Sequence, residues 1–161
     1  MNKNKITIIP SWTAVLLWLV LIFYLSSQPA VESNGLSKKV TKVIIEKVGA
    51  VVPLDNETST TADLVARFNH MVRKCGHFGL YFVLSILVTN ALRVSRIIGF
   101  KGYILSLMFC ILYAISDEVH QLFVPGRGAQ VTDVLIDSFG AFIGIGMYEL
   151  IGKFKKVIAS S

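Results

Sequence analysis

The chain has 161 residues, of which 53% are hydrophobic and 16% charged, well below the ~25% charge of ordinary soluble domains. With a mean hydropathy of +0.63 and apolar residues gathered in long blocks, this is the profile of a one-domain integral membrane protein rather than a soluble globule. The net charge of +6 would suit nucleic acid, but the bases are scattered between apolar segments, so attraction to anionic lipid is the more economical reading and no nucleic-acid partner is expected.

Ile6 to Leu25 is almost wholly apolar and contains Trp12 and Trp18. At 1.5 Å per residue its 20 residues span ~30 Å, the thickness of the hydrocarbon. Pro10 sits near the start, where a helix tolerates it. The alternative is a cleaved signal peptide; Ser26-Ser27-Gln28-Pro29-Ala30 offers small residues, but Gln28 stands where such a site wants one.

Residues 29 to 74 are polar. Within them Leu36, Val40, Val43, Ile44, Val48 and Val51 recur at helical spacing, with Lys38, Lys39, Lys42, Glu46 and Lys47 on the other face. This predicts an amphipathic helix over about 35–51, lying in the membrane interface or packed on the bundle. Pro53 to Thr60 reads as a linker. A further helix starts near Ala62 and runs into a second span, about 77–92. Along it His70, Arg73 or Lys74, His77 and Tyr81 form one polar stripe entering the membrane. Arg93, Arg96 and Lys101 crowd the connection to a third span, about 102–124. A short loop with Arg127 leads to a fourth span, about 131–151, closed by Lys153, Lys155 and Lys156. The expected fold is an all-α integral membrane bundle of four transmembrane helices, with the amphipathic surface helix in its first, long external loop. Cys75 and Cys110 lie in or beside apolar segments and read as inert core residues.

Four spans put alternate ends together. Ser26, Ser27 and Gln28, the stripe through Arg73 and His77, the run Asp117, Glu118, His120, Gln121, and the pair Asp133 and Asp137 therefore collect at one membrane face. Asp117 shares a helix face with His120 and Gln121, and Glu118 points about a quarter-turn away. Asp137 lies ~6 Å deeper than Asp133. A lone carboxylate at that depth is costly, so its expected partners are His77, Arg73 or Arg127. Gly140, Ala141 and Gly144 read as a surface for close helix packing. Lys and Arg divide eight to each side, but those close to span ends favour both termini inside and the polar cluster outside.

This constellation suits acid/base work or a metal by His77, Asp117, Glu118 and His120. Arg73, Lys74, Gln121 and Arg127, with Asp133 and Asp137, suit a phosphate-bearing ligand. Metal and cofactor stay open, since no motif such as H-E-x-x-H is present. The competing reading is an ion-paired cluster that fixes helix register.

Three stretches carry a resemblance. Arg73-Lys74-Cys75-Gly76-His77-Phe78-Gly79-Leu80-Tyr81 is similar to the K-x-x-H-F-x-x-Y opening of the VanZ-like membrane family. Ser116-Asp117-Glu118-Val119-His120-Gln121-x-Phe123-x-Pro125-Gly126-Arg127 resembles its S-D-E-x-H-Q-x-F-x-P-x-R signature. Asp133-Val134-x-x-Asp137-x-x-Gly140-x-x-x-Gly144 resembles its glycine-bearing span. The resemblance implies a multi-pass protein of the bacterial plasma membrane. It also implies a link to low-level resistance to the glycopeptide teicoplanin, through reduced drug binding at the cell surface; it implies no agreed reaction. Two functions are therefore expected to compete. One binds or modifies a lipid-linked, phosphate-bearing wall component, with an anionic or isoprenyl-phosphate lipid as partner. The other is a non-catalytic interaction or lipid-sensing module. A transporter is least favoured, because four spans without repeat or broken helix give little for alternating access.

Overall fold

The computed structural model describes residues 3–29 and 58–159; the expected amphipathic helix over 35–51 lies outside them. Four helices follow in order: α1 (Lys3–Ser26), α2 (Thr58–Val94), α3 (Phe100–Gln121) and α4 (Val131–Ala159). Each contains a stretch long and apolar enough to cross a membrane, namely Thr7–Ser26, Met71–Val94, Phe100–Gln121 and Val131–Phe154. Pro10 falls inside α1 rather than at its start, which helices in lipid tolerate.

The second span begins earlier than expected, at Met71, and the C-terminal ends of the third and fourth also differ. The third span ends at Gln121, not at Val124, although Leu122, Phe123 and Val124 are apolar. Pro125 disfavours helical backbone at Val124, and the chain leaves the helix through bonds from the Phe123 N–H to the His120 carbonyl (3.0 Å) and the Val124 N–H to the Gln121 carbonyl (3.1 Å). The fourth helix runs on to Ala159, because an end to apolar sequence is not an end to helix.

α2 is the centre of the bundle and packs against each of the other three helices. Tyr81, Leu84, Val88 and Ala91 of α2 meet Val15 and Ile22 of α1, Cys110 and Ala114 of α3, and Ala141 of α4 in one buried cluster. Against α4 the approach is closest at two glycines. A methyl group on Gly140 would stand 2.5 Å from the Phe78 carbonyl oxygen, and one on Gly144 would collide with Ser85 and the Phe82 carbonyl. Polar bonds tie the helices where lipid cannot supply partners. Trp18 Nε1 donates to the Leu80 carbonyl at 2.9 Å, Tyr113 donates to the Leu19 carbonyl at 2.7 Å, and Thr89 shares a 2.9 Å bond with Ser106. Outward, Leu16, Leu17, Val20, Met108, Leu112, Leu135, Phe139 and Phe142 are exposed, an apolar belt suited to acyl chains.

Candidate functional site

At the end of the bundle where α1 and α3 finish and α4 begins, charged groups sit inside the packing. Asp117, Glu118, Gln121, Asp133 and Asp137 are all buried, Asp137 completely. With Ser26, also buried, six carboxylate, amide and hydroxyl side chains thus face protein, not lipid, as the cost of polar groups in hydrocarbon requires.

The deepest contact is between α2 and α4. His77 Nδ1 lies 3.7 Å from Asp137 Oδ2, and Asp117 and Asp133 are near enough to act on the imidazole electrostatically. One turn outward, Asp133 stands 3.8 Å from both Arg73 Nη2 and Lys74 Nζ. The same i, i+4 step on each helix sets these two layers, base facing acid in both.

From α3, Gln121 Nε2 donates to Ser26 Oγ of α1 at 2.9 Å and to Asp117 Oδ2 at 3.2 Å. Its oxygen accepts from Arg127 Nη1 at 3.4 Å. Arg127 follows a tight turn in which its N–H donates to the Val124 carbonyl at 3.1 Å. Pro125 and Gly126, the latter at φ 75°, occupy the positions a type II turn assigns to them. The turn swings Arg127 over the cluster. Burial lowers its pKa below the ordinary guanidinium value, the charge of Arg73 acts the same way, and Asp117, Glu118 and Asp133 act against them. Two guanidinium groups thus stand close together above a set of acids.

Glu118 stands within electrostatic reach of Asp133, His77 and Asp117, with Oε1 buried and unpartnered among the described residues, and its other oxygen has a structural contact. Its Oε2 accepts from the backbone N–H of Gln130 at 2.7 Å, fastening the start of α4 to α3. His120 departs from the expected grouping. Its ring lies 4.5 Å from that of Phe23 on α1, within electrostatic reach of Asp117 but turned onto the α1 side. Gln121, not His120, makes the bond to Asp117. The side chain of His70 is outside the described set.

Several buried polar atoms have no hydrogen-bond partner among the described residues: His77 Nδ1, Tyr81 Oη, Asp117 Oδ1, Glu118 Oε1, His120 Nδ1, Asp133 Oδ1, both oxygens of Asp137 and Arg127 Nε. Beside them a cleft of about 180 Å³ opens between α1 and α2. Ile22, Leu25, Val72 and Leu80 give it apolar walls, while Arg73, His77 and Arg127 line its polar end. Among the described residues no group of three or more His, Cys, Asp or Glu side chains is arranged to hold a metal ion.

The VanZ/LLP1 family model matches residues 11–152, nearly the whole chain. This chain belongs to the VanZ/LLP1 family. No curated protein matches it, and no solved structure does. The family match takes in every residue of the cluster, from Ser26 to Asp137.

Within this VanZ/LLP1 chain the structure brings together Arg73, Lys74, His77, Asp117, Glu118, Gln121, Arg127, Asp133 and Asp137. Tyr81 is the addition that sequence reasoning left without a role. It is fully buried, its hydroxyl is unpartnered, and Asp117 and Asp137 act on it electrostatically. Its position four residues after His77, on the same stripe, was the available signal. The Gln130 amide had none, because a backbone N–H carries no mark in the sequence.

Proposed function

We propose that this VanZ/LLP1 membrane protein binds a lipid-linked, phosphate-bearing component of the bacterial cell envelope at the outer face of the plasma membrane, with both termini cytoplasmic. The observation that carries the reading is the cleft between α1 and α2, apolar along Ile22, Leu25, Val72 and Leu80 and cationic where Arg73 and Arg127 meet it. A soluble anion has no use for such walls, whereas an isoprenyl-phosphate or other anionic lipid matches both. Arginine presents paired donors to a phosphate, so Arg73 and Arg127 hold the head group. His77, backed by Asp137, is the group placed to take or give a proton, with Asp117 and Tyr81 beside it. Occupying such a lipid at the cell surface would lower the binding of glycopeptides such as teicoplanin to wall precursors.

Lipid mass spectrometry on the protein purified in mild detergent tests this. The expected result is enrichment of a phosphate-bearing lipid over its share of the membrane, lost in Arg73→Gln and Arg127→Gln at unchanged protein level. No enrichment in the unaltered chain overturns the reading.

A second reading rests on the pairing of Arg73 and Lys74 with Asp133 and on the fastening of α4 by Glu118. In it the cluster is structural, and the protein is a non-catalytic lipid-sensing or interaction module. Under that reading the same arginine substitutions remove the protein from the membrane rather than the lipid from the protein.

A further inference from the structure

Tyr103 stands fourteen residues before Asp117 on α3, hence ~21 Å along the helix, at the far end of the bundle from the carboxylate cluster. There α2, α3 and α4 enclose a second cleft, of about 220 Å³, whose walls include Thr89, Arg93, Gly102, Tyr103, Tyr148 and Glu149. Tyr103 and Glu149 also line the top of an apolar groove of about 470 Å³ between α3 and α4, walled by Leu107, Phe142 and Ile143 and passing Gly146. A polar pocket at head-group level therefore leads into an apolar channel on the lipid-facing surface.

The pocket holds charges of both signs. The Arg93 guanidinium lies 5.8 Å over the Tyr148 ring, and Tyr148 is itself fixed by a 3.1 Å bond from its hydroxyl to Asn90 Oδ1. Gly152 leaves room beside it, since a methyl there would stand 3.5 Å from Arg93 Nη1. Glu149 acts on Tyr103 first through a side-chain hydrogen bond and Arg93 acts on it electrostatically, yet no ion pair joins either charge to a described residue. Neither charge is neutralised by an opposite one among the described residues, although Glu149 also meets Tyr103 and Arg93 the Tyr148 ring.

We propose that this pocket and groove bind one zwitterionic glycerophospholipid with a primary-amine head group, drawn from the leaflet opposite the carboxylate cluster. Arg93 takes the phosphate, Glu149 takes the ammonium, and an acyl chain lies along the groove past Gly146. A zwitterion satisfies both charges at once. A purely anionic lipid would satisfy Arg93 and be repelled by Glu149, and a quaternary amine has no N–H to give the carboxylate.

The test uses the full chain, delipidated in detergent and offered phosphatidylethanolamine and phosphatidylglycerol at equal mole fraction, with retained lipid counted by native mass spectrometry. Phosphatidylethanolamine should be retained about tenfold over phosphatidylglycerol; Glu149→Gln should abolish that preference, and Arg93→Gln should lower retention of both lipids. Gly146→Leu should expel the lipid without lowering helicity or melting temperature, because a Cβ added there meets nothing within 4 Å and leucine favours helix over glycine. That variant decides the matter where a charge substitution fails to fold. Equal retention of the two lipids, or full retention in Gly146→Leu, overturns the proposal.

Discussion

His77 Nδ1 and Asp137 Oδ2 stand 3.7 Å apart across the α2–α4 interface, close enough to attract as ions and too far for a direct hydrogen bond. Asp137 is wholly buried, and neither of its oxygens has a hydrogen-bond partner among the described residues. Its environment depends chiefly on one imidazole. Removing a single member of a buried pair leaves the other uncompensated and costs about 3–5 kcal/mol. Replacing both removes that penalty. His77→Leu and Asp137→Leu should therefore each lower stability, and the double variant should lose less than the two together, with coupling of about 1–3 kcal/mol. Unfolding of the three variants in one detergent measures it, and strict additivity would show that the two side chains do not sense each other.

Glu118 gives a prediction of a different kind, since its contact is with backbone. Glu118→Ala leaves the Gln130 N–H without its acceptor, which costs about 1–3 kcal/mol. Glu118→Gln keeps an oxygen in place and should retain most of the stability. Proteolysis of the loop between α3 and α4 is the direct readout, faster in the alanine variant and near normal in the glutamine one. Equal cleavage in both would mean that the carboxylate's charge, not its hydrogen bond, is what matters there.

Much of this arrangement could be read from the chain. The four apolar runs were long enough to dictate spans, and loop parity then put Ser26, His77, Asp117 and Asp137 at the same end. Helical spacing placed Arg73 with His77 and Asp133 with Asp137, in two layers. What spacing does not encode is rotation about each helix axis to within a residue. Asp117 was expected to share a face with both His120 and Gln121, yet Gln121 reaches it and Ser26 while His120 turns onto Phe23. Phe23 and Ser26 belong to a helix almost uniformly apolar, so no pattern in α1 announced which side would meet α3. Leu122 to Val124 misled for a related reason: hydropathy scores them as span, and only the proline after them ends the helix.

The glycines of α4 separate packing from propensity. Gly144 faces Ser85 and the Phe82 carbonyl so closely that a methyl must move one of the helices, whereas a methyl on Gly146 meets nothing within 4 Å. Gly144→Ala should destabilise by about 1–3 kcal/mol through overpacking. Gly146→Ala should be neutral or stabilising by up to about 1 kcal/mol, because alanine loses less backbone entropy in a helix. Thermal unfolding of the pair in one detergent decides. A loss at Gly146 equal to that at Gly144 would mean that the α2–α4 contact is not where glycine is needed.

The last prediction bears on the cleft itself. Gly76 lines it beside Arg73 and His77, and a side chain begun at Gly76 meets nothing within 4 Å. Gly76→Leu therefore adds bulk beside the cleft from a Cβ that itself displaces no neighbour, and leucine favours helix over glycine by roughly 1 kcal/mol. The two effects oppose each other in what an assay would see. Stability should hold or rise, while retention of a phosphate-bearing lipid should fall, because the acyl or isoprenoid chain loses its place along Ile22, Leu25 and Leu80. Gly76→Ala adds one methyl and should bind nearly as well as the unaltered protein. A graded loss from glycine through alanine to leucine, with no fall in melting temperature, is the mark of a ligand that lies between α1 and α2. A leucine variant that is stable and retains the lipid in full would place the ligand elsewhere, leaving the cleft as a packing gap.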